Sequence, residues 1–401
     1  MIHSISCKNF YSLGEENTLS FVVNDNAPKN NSYFTTPLGT RLSKVETIIG
    51  PNASGKTNLL KVIPFLKWLI VDSFEMNPQQ ALPINCFALN EHKSLPTEIS
   101  VVFEIERGVY TYSFTLNKNK ITSEDLRLVS MANEKKSNKK MFSRSWNEGI
   151  NSYELDDANF DLPKGSETLL RSNASVVAVA IRLNHKESQD IANYWQKLET
   201  NVGPVGWVGG HGIHNTIQQA MAFKFYSEND KLKKAAEKML SRFDLGLNAF
   251  EIEKSKNPND FLMNVSVSHS FGDEKVNLPF DQESSGTKQL FVLLKHILVA
   301  LEKGGIAVLD EFDVSLHPDM MLALFDMFIE PELNPKNAQL LFSTHSHQIL
   351  SKLDKYQIIL IEKNSKGMSE SWRLDEMEGV RADDNYYTKY LAGAYGAVPK
   401  I

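Results

Sequence analysis

Two cysteines in 401 residues, Cys7 and Cys86, are too few for a disulfide framework or a self-sufficient zinc site, and reduced, inert thiols are expected. Long apolar runs are missing as well. Phe291 to Leu301 and Ile306 to Leu309 are short and interrupted by Lys295, His296 and Lys303, which excludes a membrane-spanning helix there. Met1 to Phe10 lacks the continuous apolar core and small-residue cleavage site of a secretion signal, so the expected location is cytoplasmic. Positive charge is in deficit: 43 Lys and Arg face 49 Asp and Glu, a net charge of −6. A surface that is basic overall, as a dedicated nucleic-acid coat would need, is thereby excluded. There are no sustained heptads to build coiled-coil arms and no internal repeat. What remains, 42% apolar and 23% charged residues, is an ordinary globular composition for one large domain or two smaller ones.

Along the chain, Ile2, Ile5, Phe10, Leu13 and Leu19 alternate weakly between turn formers and suggest short antiparallel strands. Val45 to Ile49 is a β-branched run broken by Gly50, and Asn58 to Ile70 continues as an apolar helical stretch interrupted by Pro64. Ile99, Val101, Phe103 and Ile105, then Tyr110, Tyr112 and Phe114, predict a hairpin around Arg107 and Gly108. The chain changes character after about Thr122. Lys135, Lys136, Lys139, Lys140 and Arg144, embedded among Asn133, Ser137 and Asn138, read as a solvated basic loop. Helical patterns follow near Ser188 to Leu198 and Ile217 to Phe243. The expected division is an N-terminal lobe over residues 1–125, a mostly helical insertion over 126–260 and a C-terminal lobe over 261–401.

The chemistry concentrates in four places. Gly50-Pro51-Asn52-Ala53-Ser54-Gly55-Lys56-Thr57 satisfies the eight-residue phosphate-loop pattern between a predicted strand and a predicted helix. Its glycines let backbone N–H groups turn toward a polyphosphate, and the helix start adds its positive dipole end. Lys56 would reach the β- and γ-phosphates of ATP, and Thr57 would offer a hydroxyl to Mg²⁺. Ile306 to Leu309 is a fully apolar strand ending in Asp310 and Glu311. Asp310 is expected to hold the metal through water, and Glu311 to polarise the attacking water. Leu340 to Phe342 leads into Ser343-Thr344-His345-Ser346, which places His345 to sense a γ-phosphate. Glu283-Ser284-Ser285-Gly286-Thr287-Lys288-Gln289-Leu290 precedes an apolar helix, so Ser284, Ser285 and Gly286 form either a helix cap or a second anion cradle. One chain needs one cradle per ATP; a second makes sense if it docks on the γ-phosphate held by another copy.

Together these motifs resemble the ABC-type AAA ATPases that include the OLD proteins, RecF-like ATPases and the ATPase subunits of bacterial abortive-infection and phage-defence gene pairs. Ile5 to Phe21 looks like the family's first hairpin, Gly50 to Thr57 its Walker A, Glu283 to Leu290 its shortened signature, Ile306 to Glu311 its Walker B, Asp313 its D-loop and His345 its switch histidine. Leu245-Gly246, Ser315-Leu316-His317-Pro318, Tyr356 to Lys363, Arg381 and Tyr395 to Pro399 are similar to the small RloA or AbiL-type subgroup. The resemblance implies an α/β P-loop NTPase of the ABC/SMC-head type, with a mixed central sheet, an antiparallel N-terminal β-subdomain and a helical insertion. It also implies a Mg²⁺-dependent ATPase that pairs head-to-tail as a homodimer or higher oligomer and controls an effector protein encoded nearby. About 56 residues follow His345, too few for the Toprim nuclease domain of OLD nucleases. The glutamine of the Q-loop has no clear position; Gln79 and Gln80 are the nearest candidates. Two other classes compete: a RecF-like repair clamp, disfavoured by the acidic balance although nucleic acid is not excluded, and the motor subunit of a membrane transporter, against which the N-terminal resemblance and the closing Tyr395 to Pro399 segment weigh.

Overall fold

The structure, a computed structural model, describes residues 1–132, 135–157, 159–203, 211–243, 246–253, 264–271, 273–313 and 316–399. Asn133, Leu245 and Ser315, and the expected boundary at residue 260, lie outside them.

A six-stranded sheet forms the centre, in the order Leu198–Thr200, Ile306–Leu309, Gln339–Ser343, Val45–Ile49, Ile358–Lys363 and Ser369–Arg373. The first five strands are parallel and the last is antiparallel, which makes the sheet mixed. Alternate residues enter opposite cores. Ile48, Val308, Leu341, Ile359 and Ile361 join one apolar cluster, while Val45, Ile49, Ala307, Leu309, Leu340, Phe342, Ile358 and Leu360 join the other. Burial on both faces explains why these strands read as nearly continuous apolar runs.

Against one face lies an antiparallel lobe in the order Ser152–Asp156, Lys135–Asn147, Ile121–Ala132, Gly108–Leu116, Thr97–Ile105, Ile2–Lys8 and Asn17–Ser20. The expected hairpin is present, closing at Ile105 opposite Gly108. Its inner face carries Val101, Phe103, Tyr110, Tyr112, Phe114 and Leu126, all buried. The half-buried Ser6, Ser100, Thr111 and Ser113 occupy the alternate positions, as expected of a sheet with one wetted face.

The stretch expected to be a basic loop at the head of a helical insertion is instead strand, paired from Ile121 through Asp156 into this lobe. A boundary at residue 126 would therefore cut the strand Ile121–Ala132. Charge misled the sequence reading because two of the inward positions, Glu124 and Arg144, are themselves charged. Glu124 and Arg144 face each other across the two strands, both fully buried, with Arg144 Nη2 donating to Glu124 at 2.5 Å and to the Ala174 carbonyl at 3.0 Å. Glu124 also accepts from the Tyr112 hydroxyl and, at 2.8 Å, from the Val176 amide. Lys140, by contrast, pairs with Asp156 on the exposed side.

Helices do follow. Val176–Arg182 and Lys186–Trp195 send Val176, Val177, Ala180, Ile191 and Trp195 into the lobe's core. His211–Glu228 and Asp230–Phe243 pack on the helix Ser285–Lys303, where Tyr226 meets Phe291 at 4.7 Å between ring centres. Three antiparallel strands, Leu247–Glu253, Asn264–Phe271 and Glu274–Pro279, then lead into that helix. Among the described residues no helix is long and apolar enough to cross a membrane. Cys7 is buried and its thiol is pushed up to about 12 by that burial, in keeping with an inert role.

Two stability outcomes follow from the buried charges. Arg144→Ala leaves Glu124 uncompensated in the core and should cost about 3–5 kcal/mol in denaturant unfolding, whereas Lys140→Ala should cost under about 1 kcal/mol. Glu46, on the strand Val45–Ile49, is fully buried, and burial raises its carboxyl pKa well above the usual range; Arg373 opposes this while Asp354 and Asp375 add to it. Folding thus favours the acid form, a contribution complete below about pH 4.3 and lost as pH rises. Glu46→Gln should gain stability relative to the parent protein as pH climbs from about 5 to 8; a constant difference across melts at those pH values would refute this.

Candidate functional site

The parallel strands place the C-terminal ends of Val45–Ile49, Ile306–Leu309, Gln339–Ser343 and Ile358–Lys363 on one edge of the sheet. Three motifs therefore meet there, the first of them 253 residues before the second as counted from Thr57 to Asp310.

Gly50 leaves the first of these strands. A Cβ on it would stand 2.1 Å from the Ile361 carbonyl oxygen, so only glycine lets the turn lie this close to its neighbour. Ala53 and Gly55 both take positive φ, 62° and 111°, which curls residues 50–55 before the helix Lys56–Lys67 begins. Pro64 does not end that helix; it continues to Lys67. Lys56 folds back over the loop, its ammonium donating to the carbonyls of Gly50 at 2.8 Å and Pro51 at 3.1 Å. Burial lowers the lysine's pKa, and Asp310, Glu311 and Asp313 pull it back up. The Ser54 hydroxyl is buried without a hydrogen-bond partner.

Thr57 Oγ1 donates to Asp310 Oδ2 at 2.6 Å, and Ser343 Oγ donates to Asp310 Oδ1 at 2.5 Å, so both carboxylate oxygens of Asp310 are engaged. The backbone of Asp310 is bracketed by Asn201, whose Nδ2 donates to the Asp310 carbonyl at 2.9 Å and whose Oδ1 accepts from the Asp310 amide at 2.8 Å. Glu311 follows at φ 50°, an uncommon conformation for a residue with a side chain, and its amide donates to Ser343 Oγ at 2.9 Å. Asp313 accepts from the His345 amide at 3.1 and 3.2 Å, which ties the segment after Glu311 to the turn that carries His345. His345 itself is exposed. Beside it opens a hollow of about 600 Å³, walled by residues 50–54, His345, His347, Glu362 and Tyr390. His347 rests on the Tyr390 ring at 4.8 Å, and burial, His345 and Lys56 lower its pKa against the pull of Asp313.

The second cradle is built as a helix start. Ser284 caps Ser285–Lys303, its Oγ accepting from the Thr287 amide at 3.0 Å, while Ser284 and Ser285 stay exposed and Gly286 half-buried. Glu283 just before it is buried and bonded to His269 Nε2 at 2.8 Å. The helix is 19 residues, about 28 Å, and runs into the start of the four-residue strand Ile306–Leu309, about 13 Å long.

The candidates Gly50 to Thr57, Asp310, Glu311, Asp313 and His345 are thus gathered on one edge, while Ser284 to Gly286 present a separate exposed turn. Gln79 and Gln80 lie on the exposed loop after the helix Lys56–Lys67. Ser343, Asn201 and His347 were not anticipated. Ser343 immediately precedes the triplet containing His345 and could have been suspected; Asn201 carries no local signal, because its role comes from the pairing of Leu198–Thr200 with Ile306–Leu309.

The residues fit a nucleotide. A lysine held on two carbonyls, a curled loop ahead of a helix start and an unpartnered buried hydroxyl suit a polyphosphate. Three carboxylates around the same lysine would repel that polyanion unless a divalent cation lay between them. This fold and site define an ABC-type P-loop ATPase. Residues 47–351, well over half the chain, match the family described as "AAA domain, putative AbiEii toxin, Type IV TA system", and the chain belongs to that family. Among curated protein sequences none matches. Solved structures similar to this chain include the SMC head domain from Thermotoga maritima, at 15% identity over 93% of this chain and 98% of that one, TM-score 0.43. An SMC head bound to the C-winged helix domain of ScpA covers 94% and 98% at 14% identity, TM-score 0.48. The Pyrococcus furiosus SMC head with an extended coiled coil, bound to the C-terminal domain of ScpA, covers 94% and 97% at 14% identity, TM-score 0.48.

Removing the Ser343 hydroxyl frees one Asp310 oxygen and the Glu311 amide together. Ser343→Ala should lower ATP hydrolysis about tenfold or more while leaving ATP affinity nearly intact, and Lys56→Ala should lose the affinity itself. Steady-state rates alongside titration calorimetry separate the two effects.

Proposed function

We propose that this protein is a Mg²⁺-dependent ATP switch that closes head-to-tail on a second copy of itself and controls a partner effector in a bacterial phage-defence, abortive-infection system. The observation that carries the dimer is the position of the signature turn. Ser284, Ser285 and Gly286 form the start of a helix on a turn separate from the phosphate loop, and both serines are exposed to solvent, where a nucleotide held by a neighbour could reach them. The family description, with its toxin of a type IV toxin–antitoxin system, supports a role in a two-component system.

In this reading Lys56 and the amides of residues 50–55 bind the phosphates, and Thr57 with Asp310 holds the metal. Mg²⁺, when bound, neutralises phosphate charge. Glu311 positions and polarises the water, His345 contacts the γ-phosphate, and Asp313 fixes His345 through its amide. The helices and three-stranded sheet ahead of the signature, joined to it through His269 and Glu283, pass the closed state to the effector. Motion rather than a released small molecule is the useful product.

Glu311→Gln should slow hydrolysis at least a hundredfold and accumulate an ATP-dependent dimer on size-exclusion chromatography, while Lys56→Ala stays monomeric with ATP. Persistent turnover, or a Glu311→Gln protein that remains monomeric at saturating ATP, would remove the switch assignment. Cells expressing the chain with its genomic neighbour should restrict phage plaques, and Lys56→Ala should abolish the restriction.

A further inference from the structure

The phosphate loop is held from behind by a residue that no motif contains. Ser369 opens the antiparallel edge strand Ser369–Arg373 and is fully buried. Its hydroxyl lies 2.6 Å from the Ser54 carbonyl oxygen and 2.8 Å from Ser12 Oγ. Ser12 Oγ in turn accepts from Asn58 Nδ2 at 2.8 Å. A hydroxyl carries one hydrogen. The Ser54 carbonyl can only accept, so the Ser369 hydrogen goes there, and the bond between the two serines takes its hydrogen from Ser12. The result is a one-way relay from Asn58 through Ser12 and Ser369 into the phosphate loop.

The orientation of a backbone donor depends on that last bond. The Ser54 carbonyl and the Gly55 amide belong to one planar peptide, and among the described residues there is no cis bond, so the two groups point in opposite directions. Gly55 sits at φ 111°, where a residue without Cβ meets little steric resistance to turning that peptide over. Sterics alone leave the peptide's direction open. The space behind it is fully taken, since a Cβ on Gly55 would stand 2.2 Å from Ser369 Oγ.

We propose that Ser369 is a positioning residue for phosphate binding, its hydroxyl pinning the Ser54 carbonyl backward so that the Gly55 N–H faces the phosphate hollow. The proposal rests on the reading of residues 50–57 as the nucleotide site. It assigns the strand Ser369–Arg373, which follows every recognised ATPase motif, a direct part in nucleotide affinity.

Calorimetric titration of ATP, ADP and inorganic tripolyphosphate into the full chain tests it. Ser369→Ala should weaken all three by a similar factor, about five- to tenfold, because the lost donor faces phosphate rather than base. Ser12→Ala leaves the Ser369 bond to Ser54 in place and should bind within about twofold of the parent protein. Equal losses in Ser12→Ala and Ser369→Ala would mean general loosening and overturn the proposal, as would parent-like affinity in Ser369→Ala or a loss for ATP without one for tripolyphosphate. Should Ser369→Ala fail to fold, Ser369→Cys keeps the volume with a weak donor and should show a smaller loss of the same pattern; full affinity there would overturn the proposal. Lys56→Ala is the reference: if it binds ATP normally, the nucleotide-site reading itself fails, whatever Ser369 does.

Discussion

The hydrogen bond from Thr57 to Asp310 joins residues 253 positions apart and crosses the end of an intervening strand, Gln339–Ser343. Everything at this edge of the sheet is referred to it. Asp310 is gripped on one oxygen by the phosphate-loop helix and on the other by Ser343 of the strand between. Three strand ends are thereby locked at a single carboxylate. Glu311 inherits its position from that lock, with its left-handed backbone held by the same Ser343 hydroxyl. An unsatisfied hydroxyl or carboxylate at this depth would cost more than the bonds contribute, so the cluster forms as a unit.

The antiparallel lobe is fastened to this edge by the last strand of the sheet. Arg373 donates to the carbonyls of Ser20 and Val22 at 2.7 and 2.8 Å, and Asn17 accepts from the Ser371 amide at 2.8 Å and donates to the Ser369 carbonyl at 3.3 Å. The Ser369 amide reaches the Ser12 carbonyl at 2.7 Å. A strand distant in sequence from both the phosphate loop and the opening hairpin thus sews one to the other.

Much of the candidate site is legible in the sequence because its chemistry is local. A phosphate loop spans eight consecutive residues, and an apolar run ending in Asp310 and Glu311 announces a buried strand with carboxylates at its tip. Residues that matter only through register were invisible. Asn201 brackets Asp310 because Leu198–Thr200 pairs with Ile306–Leu309, and Ser369 meets Ser54 because the chain returns beneath the loop. The misassigned stretch from Ile121 to Asp156 failed for a different reason. The exposed Lys139 and Lys140 resembled a solvated loop, and the buried partnership of Glu124 with Arg144 interrupted the apolar alternation that would have betrayed a strand.

The length of the helix Ser285–Lys303 carries a mechanical consequence. It ends at Gly304, a left-handed cap with φ 64°, followed at once by Gly305 and the short strand that bears Asp310. A rod about 28 Å long, pivoted at a glycine pair, magnifies what happens at its base: a tilt of about 10° sweeps the far tip through about 5 Å. Small adjustments at that pivot, at the end of the strand opposite the carboxylates, are geared up into displacements comparable to the width of a phosphate group at the serines.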